Sequence, residues 1–263
     1  MTENSREVVL LQNMWQFLEF LEKRPAKLTQ TKNLTLKWLD DFSKATGILG
    51  TVDENGFKRM NQQEWPEVDI AAVIAELAKL TMNRKGIKII TKKGRDYLAK
   101  DISSRTNILF DAYWNRLDWR YIFPYGEEDK NAAYYLQKAR EYALGVLQDL
   151  DRTHNRGRID FLGFSEILRK PLGLILINHL GQDLPERVRA CIRQVIIEMF
   201  EQLGLFDCFY DIEKKQYRSK EWEHKELKSF QITETGRRII SENYGENIPD
   251  RIMPLIRTNF CWN

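Results

Sequence analysis

The chain has 263 residues, 43% hydrophobic and 11% aromatic, enough core-forming material for one large domain or two ordinary ones and too much for wholesale disorder. Its 41 basic and 38 acidic residues leave a formal charge of +3, which argues against a strongly electrostatic polyanion binder. The excess is uneven, about +4 over residues 1–125 and about −1 over the rest.

Residues 1–7 are polar and lack the basic-then-apolar pattern of a signal peptide. In residues 8–23, Val8, Leu11, Trp15, Leu18 and Leu21 recur at helical spacing, and Pro25 ends the segment. Residues 26–29 form a short extended candidate. Thr35 is the expected N-cap of a second helix over 36–45, which Gly47 closes. Residues 50–64 read as a polar loop. Pro66 opens a third helix to about residue 80, with Val68, Ala71, Ala72, Ala75 and Ala78 making a narrow apolar face. A turn over 83–86 and a strand over 87–91 follow, and 92–99 returns to helix.

That order (helix, short strand, helix, helix, hairpin, helix) is the order of a winged helix, in which a hairpin closes a three-helix core and projects its turn as the wing. Residues 102–126 are rich in rings: Phe110, Tyr113, Trp114, Trp119, Tyr121, Phe123 and Tyr125. Such a cluster more often forms a core joining two domains than a stacking platform for bases. A long helix is expected over 131–150, then a polar, basic loop over 151–158.

The second half loosely repeats the first. Val73-Ile74-Ala75-Glu76-Leu77 has a counterpart in Val195-Ile196-Ile197-Glu198-Met199, 122 residues on. Ile90-Thr91-Lys92-Lys93-Gly94-Arg95 matches Ile232-Thr233-Glu234-Thr235-Gly236-Arg237, 142 residues on. The second wing should therefore be about 20 residues longer, between strands near 205–212 and 228–233. The shared Thr-x-x-Gly-Arg reads mechanically: the strand ends at Thr, which caps the next helix.

Nothing in the chain spells a catalytic or metal centre. His154, His179 and His224 are isolated, and Cys191, Cys208 and Cys261 are too sparse for a disulfide framework, which points to a reducing compartment. Neither a Gly-x-Ser-x-Gly elbow nor a Gly-x-x-x-x-Gly-Lys loop occurs. Asp40, Asp41 and the Glu127-Glu128-Asp129 run read as solvated surface. The most apolar window, 172–180, is about nine residues where a membrane span needs roughly 20. The expectation is a cytoplasmic protein that is not an enzyme, takes no cofactor or metal, and does not enter a membrane.

The strongest local feature is the basic run Arg84, Lys85, Lys88, Lys92, Lys93 and Arg95 around the first wing. A wing lies beside the nucleic-acid backbone in many complexes, so these side chains are candidates to neutralise phosphates. The plainer reading is a hairpin charged for solubility. Lys92 and Lys93 nevertheless sit at a helix N-terminus, where positive charge is unfavourable. The third helix weakens the case for base reading, because Glu67, Asp69 and Glu76 outnumber its one Lys79. In the second half, Arg187, Arg189 and Arg193 lie on one predicted helix (185–203), and Arg156 and Arg158 in the 151–158 loop could hold a phosphate or an acidic partner. The apolar end Phe260-Cys261-Trp262 should dock on the body of the protein, on a partner or on a second copy.

Two stretches, Lys27-Leu28-Thr29-Gln30-Thr31-Lys32-Asn33-Leu34 with Thr91-x-x-Gly94, and Tyr113-Trp114-Asn115-Arg116-Leu117-Asp118-Trp119 with Leu136-Gln137, resemble an uncharacterised bacterial winged-helix-like module of plasmid- and transposon-borne passenger proteins. The resemblance implies a bacterial, mobile-element setting and transfers no activity or functional residue. The expected fold is mainly α with small β-hairpins: tandem winged-helix-like units at 1–101 and 131–263, joined by an aromatic-rich segment at 102–130. Two functions stand open. One is a non-enzymatic, double-stranded-DNA-binding protein of regulatory or mobile-element type. The other is a scaffold that binds another protein, or itself, through the second wing (213–227) and the C-terminal tail.

Overall fold

The computed structural model of the chain describes residues 8–48, 59–123, 126–176, 184–217 and 220–244, with side chains described outside 171–185, 214–224 and 244. Within these residues the protein is mainly helical, with two small antiparallel three-stranded sheets. It divides into two compact units, Met1–Leu117 and Asp118–Asn263. The boundary falls within the expected 102–130 segment, with Phe110, Tyr113 and Trp114 on one side of it and Trp119, Tyr121 and Phe123 on the other; Tyr125 lies outside the described residues. The terminal tail, His179 and Cys261 lie outside the described residues.

In the first unit, α1 (Val9–Lys23) buries Leu10, Leu11, Met14, Phe17, Leu18 and Leu21. The buried stripe is wider than the periodicity predicts, and Trp15 lies at its margin. β1 (Ala26–Lys27) follows, then α2 (Leu36–Thr46). Thr35 is its N-cap residue but makes no side-chain capping bond, while Gly47 closes it in the left-handed conformation at φ 73°. Trp38 of α2 stacks on Phe42 with ring centroids 5.4 Å apart, and Phe17 and Phe20 of α1 meet the pair edge-on. This aromatic knot joins the first two helices.

α3 (Pro66–Leu77) leads into β2 (Thr81–Arg84) and β3 (Ile87–Ile90), and α4 (Lys92–Leu98) and α5 (Ile102–Asp111) complete the unit with a π-helical turn at Ala112–Arg116. β3 lies between β1 and β2. The hairpin turns on two residues with positive φ, Lys85 at 51° and Gly86 at 75°, the mirror-image turn whose twist suits a tight hairpin.

The second unit opens with a 3₁₀ turn, Trp119–Ile122. The single helix expected over 131–150 is two, α6 (Glu127–Lys138) and α7 (Arg140–Thr153), which part at Ala139 where ψ reaches 11°. Then come β4 (Ile159–Asp160), α8 (Phe161–Leu176) and α9 (Leu184–Ile192). α9 runs through a π-helical stretch, Arg193–Glu198, into α10 (Met199–Gln202). β5 (Phe206–Tyr217), β6 (Lys220–Ile232) and α11 (Glu234–Tyr244) follow. Again the strand after the hairpin turn is central, in the order β4-β6-β5.

From α7 onward the second unit thus repeats the element order of the first, and the likeness reaches single atoms where helix, hairpin and last helix meet. In the first unit the Leu80 amide donates to the Ala75 carbonyl and Lys79 is left-handed at φ 60°. In the second the Leu205 amide donates to the Phe200 carbonyl and Gly204 is left-handed at φ 72°. Both are Schellman-type helix ends. The Thr91 hydroxyl donates toward the carbonyls of Lys79 (2.8 Å) and Leu80 (3.1 Å) and accepts from the Gly94 amide (3.0 Å). The Thr233 hydroxyl does the same with Gly204 (2.9 Å), Leu205 (3.1 Å) and Gly236 (3.0 Å). The Thr-x-x-Gly element therefore clamps the root of each hairpin.

This junction also corrects the register of the repeat. It sets Leu80 on Leu205, an offset of 125, so the helix match at 122 is nearly one turn out. From Leu80 to Thr91 is 11 positions and from Leu205 to Thr233 is 28, so the second hairpin is 17 residues longer.

Candidate nucleic-acid interface

The six basic residues of the first wing do not act as one patch. Arg84 and Lys85 stand exposed at the hairpin tip and Lys92 in the exposed first turn of α4. Among the described residues none of the three has a carboxylate partner. Lys88 does not belong with them. Its side chain is 5% exposed and its Nζ bonds Glu76 Oε2 at 2.7 Å, so it is a buried half of an ion pair and is removed from the phosphate-contacting set. Lys93 donates from Nζ to the Ala78 carbonyl at 2.9 Å, meeting one of the unfilled acceptors at the end of α3. Arg95 lies 3.9 Å from Glu22, a loose surface pair.

Strand pairing explains the split. Lys27 and Arg84 both lie opposite Ile87, and Met82 lies opposite Ile89, so these residues share the outer face of the sheet. Lys88 and Ile90 alternate onto the inner face. Met82 and Ile87 are left 47% and 41% exposed, so the wing surface is mixed apolar and basic. Lys27, exposed beside Ile87, belongs to this face and is not singled out by the sequence pattern.

α3 is packed from two directions. α1 packs on it, and so does the π-helical turn Ala112–Arg116, whose Arg116 donates to the Leu77 carbonyl at 3.1 Å. Glu76, its most exposed acid, is committed to Lys88. In the second unit the arginines of α9 and the π stretch are also engaged: Arg187 with Glu128 (2.9 Å), Arg189 with Glu186 (2.8 Å) and Glu166 (3.3 Å), and Arg193 with Glu198 (2.8 Å). The Arg169 and Arg189 bonds hold the Glu166 carboxyl below the usual carboxylate range.

Arg158 lays its guanidinium 3.7 Å from the centre of the Phe209 ring. Arg156 is exposed, at φ 62°, with its carbonyl accepting from Gln231 and Arg237. The sequence does not single out Arg152 or Arg237, which border the same corner of the second unit as Arg156. The side chains at the tip of the second wing, His224 among them, lie outside the described residues.

Burial pushes the Cys191 thiol up to about 12 and the Cys208 thiol higher still, so neither is a ready nucleophile at neutral pH. No helix among the described residues is long and apolar enough to cross a membrane. Comparison of the chain with protein-family models, with curated proteins and with solved structures returned no match.

Proposed function

We propose that both units are winged helices and that the chain is a non-enzymatic double-stranded-DNA-binding protein, gripping the phosphate backbone through its first wing without reading bases. The element order and the central position of the post-turn strand in both sheets support the architecture. One observation carries the function. Arg84, Lys85 and Lys92 project without carboxylate partners among the described residues, in a protein where Arg187, Arg189, Arg193 and Arg237 are each paired. Unpaired cations at the tip of a projecting hairpin, with another in the helix turn at its root, are what phosphate neutralisation requires. An acidic α3 supplies no Arg, Lys, Asn or Gln, the side chains that most often read base edges, so affinity should be indifferent to sequence.

The test is fluorescence anisotropy on mixed-sequence duplexes over a salt series. Three phosphate contacts give a log–log salt slope near about −3. Reversing all three (Arg84→Glu, Lys85→Glu, Lys92→Glu) should abolish binding at moderate salt, and Lys88→Met should leave it unchanged. Equal binding by the triple variant, or strong preference for one duplex sequence, ends this reading. The resemblance noted above would set such a protein in a bacterial mobile element. Met82 and Ile87, exposed on the same wing, favour a second reading, a scaffold for another protein. That reading stands if the wild-type chain binds no duplex even at low salt.

A further inference from the structure

The most distinctive polar cavity lies in the second unit, where the end of α7, the 154–158 loop, the end of β6 and α11 meet. Its volume is about 540 Å³, within the range of small-molecule sites. Arg152, Arg156 and Arg237 line it, with Gln148, Asn155 and Ser241 beside them and Ile232 and Ile240 as apolar wall. Among the described residues the one carboxylate in the lining is Asp151, and it is already spent. Arg237 donates to it twice, from Nε at 2.7 Å and Nη2 at 3.0 Å, and the Asp151 side chain is only 9% exposed. Three guanidinium groups against one neutralised acid leave the walls with a formal charge of +2 and rich in hydrogen-bond donors.

This corner is also built rather than frayed. Asn155 and Arg156 are both left-handed, at φ 49° and 62°, a conformation that costs energy in residues other than glycine. The turn is held there from both sides. The Arg156 amide donates to the Asp151 carbonyl at 2.7 Å, and the Arg156 carbonyl accepts from Gln231 Nε2 (2.9 Å) and from Arg237 Nη2 (3.2 Å). Arg237 thus fixes both the acid and the loop, and Arg156 is presented on a rigid frame. The repeat supplies the contrast. Between α1 and β1 of the first unit stand only Arg24 and Pro25, and no equivalent turn opens there. The second copy carries a longer loop at this place, and it carries it with arginine.

We infer that this corner is a phosphate-binding site: Arg152 and Arg156 take a phosphoryl group in charge-assisted bonds, and Arg237 is a positioning residue held by Asp151. Planar guanidinium forks suit phosphate oxygens better than point charges do. Arg152 has only a loose partner to give up, Asp149 at 4.0 Å, with both side chains more than half exposed. The phosphoryl group comes either from a free phosphorylated small molecule or from a DNA backbone. In the second case the inference rests on the duplex-binding reading and extends it to the second unit.

Calorimetric titration of the full chain with pyrophosphate, ATP and a mixed-sequence duplex separates these. Arg152→Glu/Arg156→Glu changes two exposed side chains and spares the Asp151–Arg237 pair, and its circular dichroism melt reports that the fold is kept. The site predicts pyrophosphate or ATP binding on the order of 1 mM or tighter, or duplex binding, weakened at least about tenfold in this variant. Loss for pyrophosphate and ATP with duplex binding unchanged assigns a free phosphorylated ligand; loss for the duplex alone assigns the DNA backbone. A double variant that binds every probe as the wild type does, or a wild type that binds none of them, overturns the site. The Arg84→Glu/Lys85→Glu/Lys92→Glu protein runs alongside. If it still binds duplex but the corner variant does not, the wing reading fails and the corner stands.

Discussion

Lys88 and Phe230 occupy the same place in two hairpins, three residues before the junction threonine, and the two units solve that place in opposite ways. Lys88 faces Ala26 across the sheet and reaches Glu76 of α3; Phe230 faces Ile159 and packs its ring on Phe206 at 4.8 Å and Phe164 at 5.3 Å. The backbone frame is the same, down to the threonine clamp, yet one core is sealed by an ion pair and the other by rings. The clamp is therefore what the repeat shares, and the filling is free to vary. The arginine after the clamp shows the same divergence: Arg95 reaches Glu22 loosely at 3.9 Å, while Arg237 holds Asp151 at 2.7 Å.

The largest expected effect comes from emptying the aromatic version. Phe230→Ala removes a fully buried ring and should destabilise the second unit by about 4 kcal/mol, read from urea denaturation with hydrogen exchange to place the loss. Lys88→Met in the first unit should cost less than about 1 kcal/mol, because Glu76 is half-exposed and returns to water while an apolar chain fills the space. Equal costs at the two positions would mean that the charged pair seals its core as strongly as the rings do.

The clamp itself comes next. A Cβ built on Gly94 would lie 2.3 Å from the Leu80 carbonyl oxygen and 2.6 Å from Ile90 Cγ1. On Gly236 it would lie 2.3 Å from the Leu205 carbonyl oxygen and 3.0 Å from Ile232 Cγ2. The obstacle in each case is backbone, which cannot swing away. Gly94→Ala and Gly236→Ala should each cost about 3 kcal/mol, Gly94 slightly more, and each within its own unit. A loss below about 1 kcal/mol at either site would show that the last helix can lift off its hairpin, and the shared-clamp argument would fail there.

Much of this frame is legible in the sequence because it is local. Apolar spacing marks α1, Gly47 its neighbour's end, Pro66 the start of α3, and the Thr-x-x-Gly pairs both clamps. What escapes is set by partners distant in the chain. Alternation in Ile87-Lys88-Ile89-Ile90 fits either face outward, and the choice of Lys88 for the inside is made by Glu76, twelve residues earlier. The break at Ala139 carries no glycine or proline to announce it. The Arg156–Arg237 corner joins residues 81 apart, and a motif search along the chain does not bring them together. Matching helix letters at 122 rather than 125 is a further consequence: similar apolar runs fit at either offset, and only the helix-end hydrogen bonds choose.

The smallest effect tests the helix end that precedes each clamp. Gly204 fills the left-handed position after α10 at no steric cost, whereas the matching Lys79, at φ 60°, carries a Cβ into a region that L-residues avoid. Lys79 is exposed, and its carbonyl, which accepts from Thr91, is kept by any substitution. Lys79→Gly should therefore stabilise the first unit by about 0.5–1 kcal/mol, the relief of strain exceeding the added freedom of the unfolded chain. Gly204→Lys should destabilise the second by a similar amount. Opposite signs at the two sites, read as shifts in denaturation midpoint, are what one shared backbone geometry demands. A Lys79→Gly protein less stable than the wild type would mean that the lysine side chain contributes there in a way its counterpart has no need of.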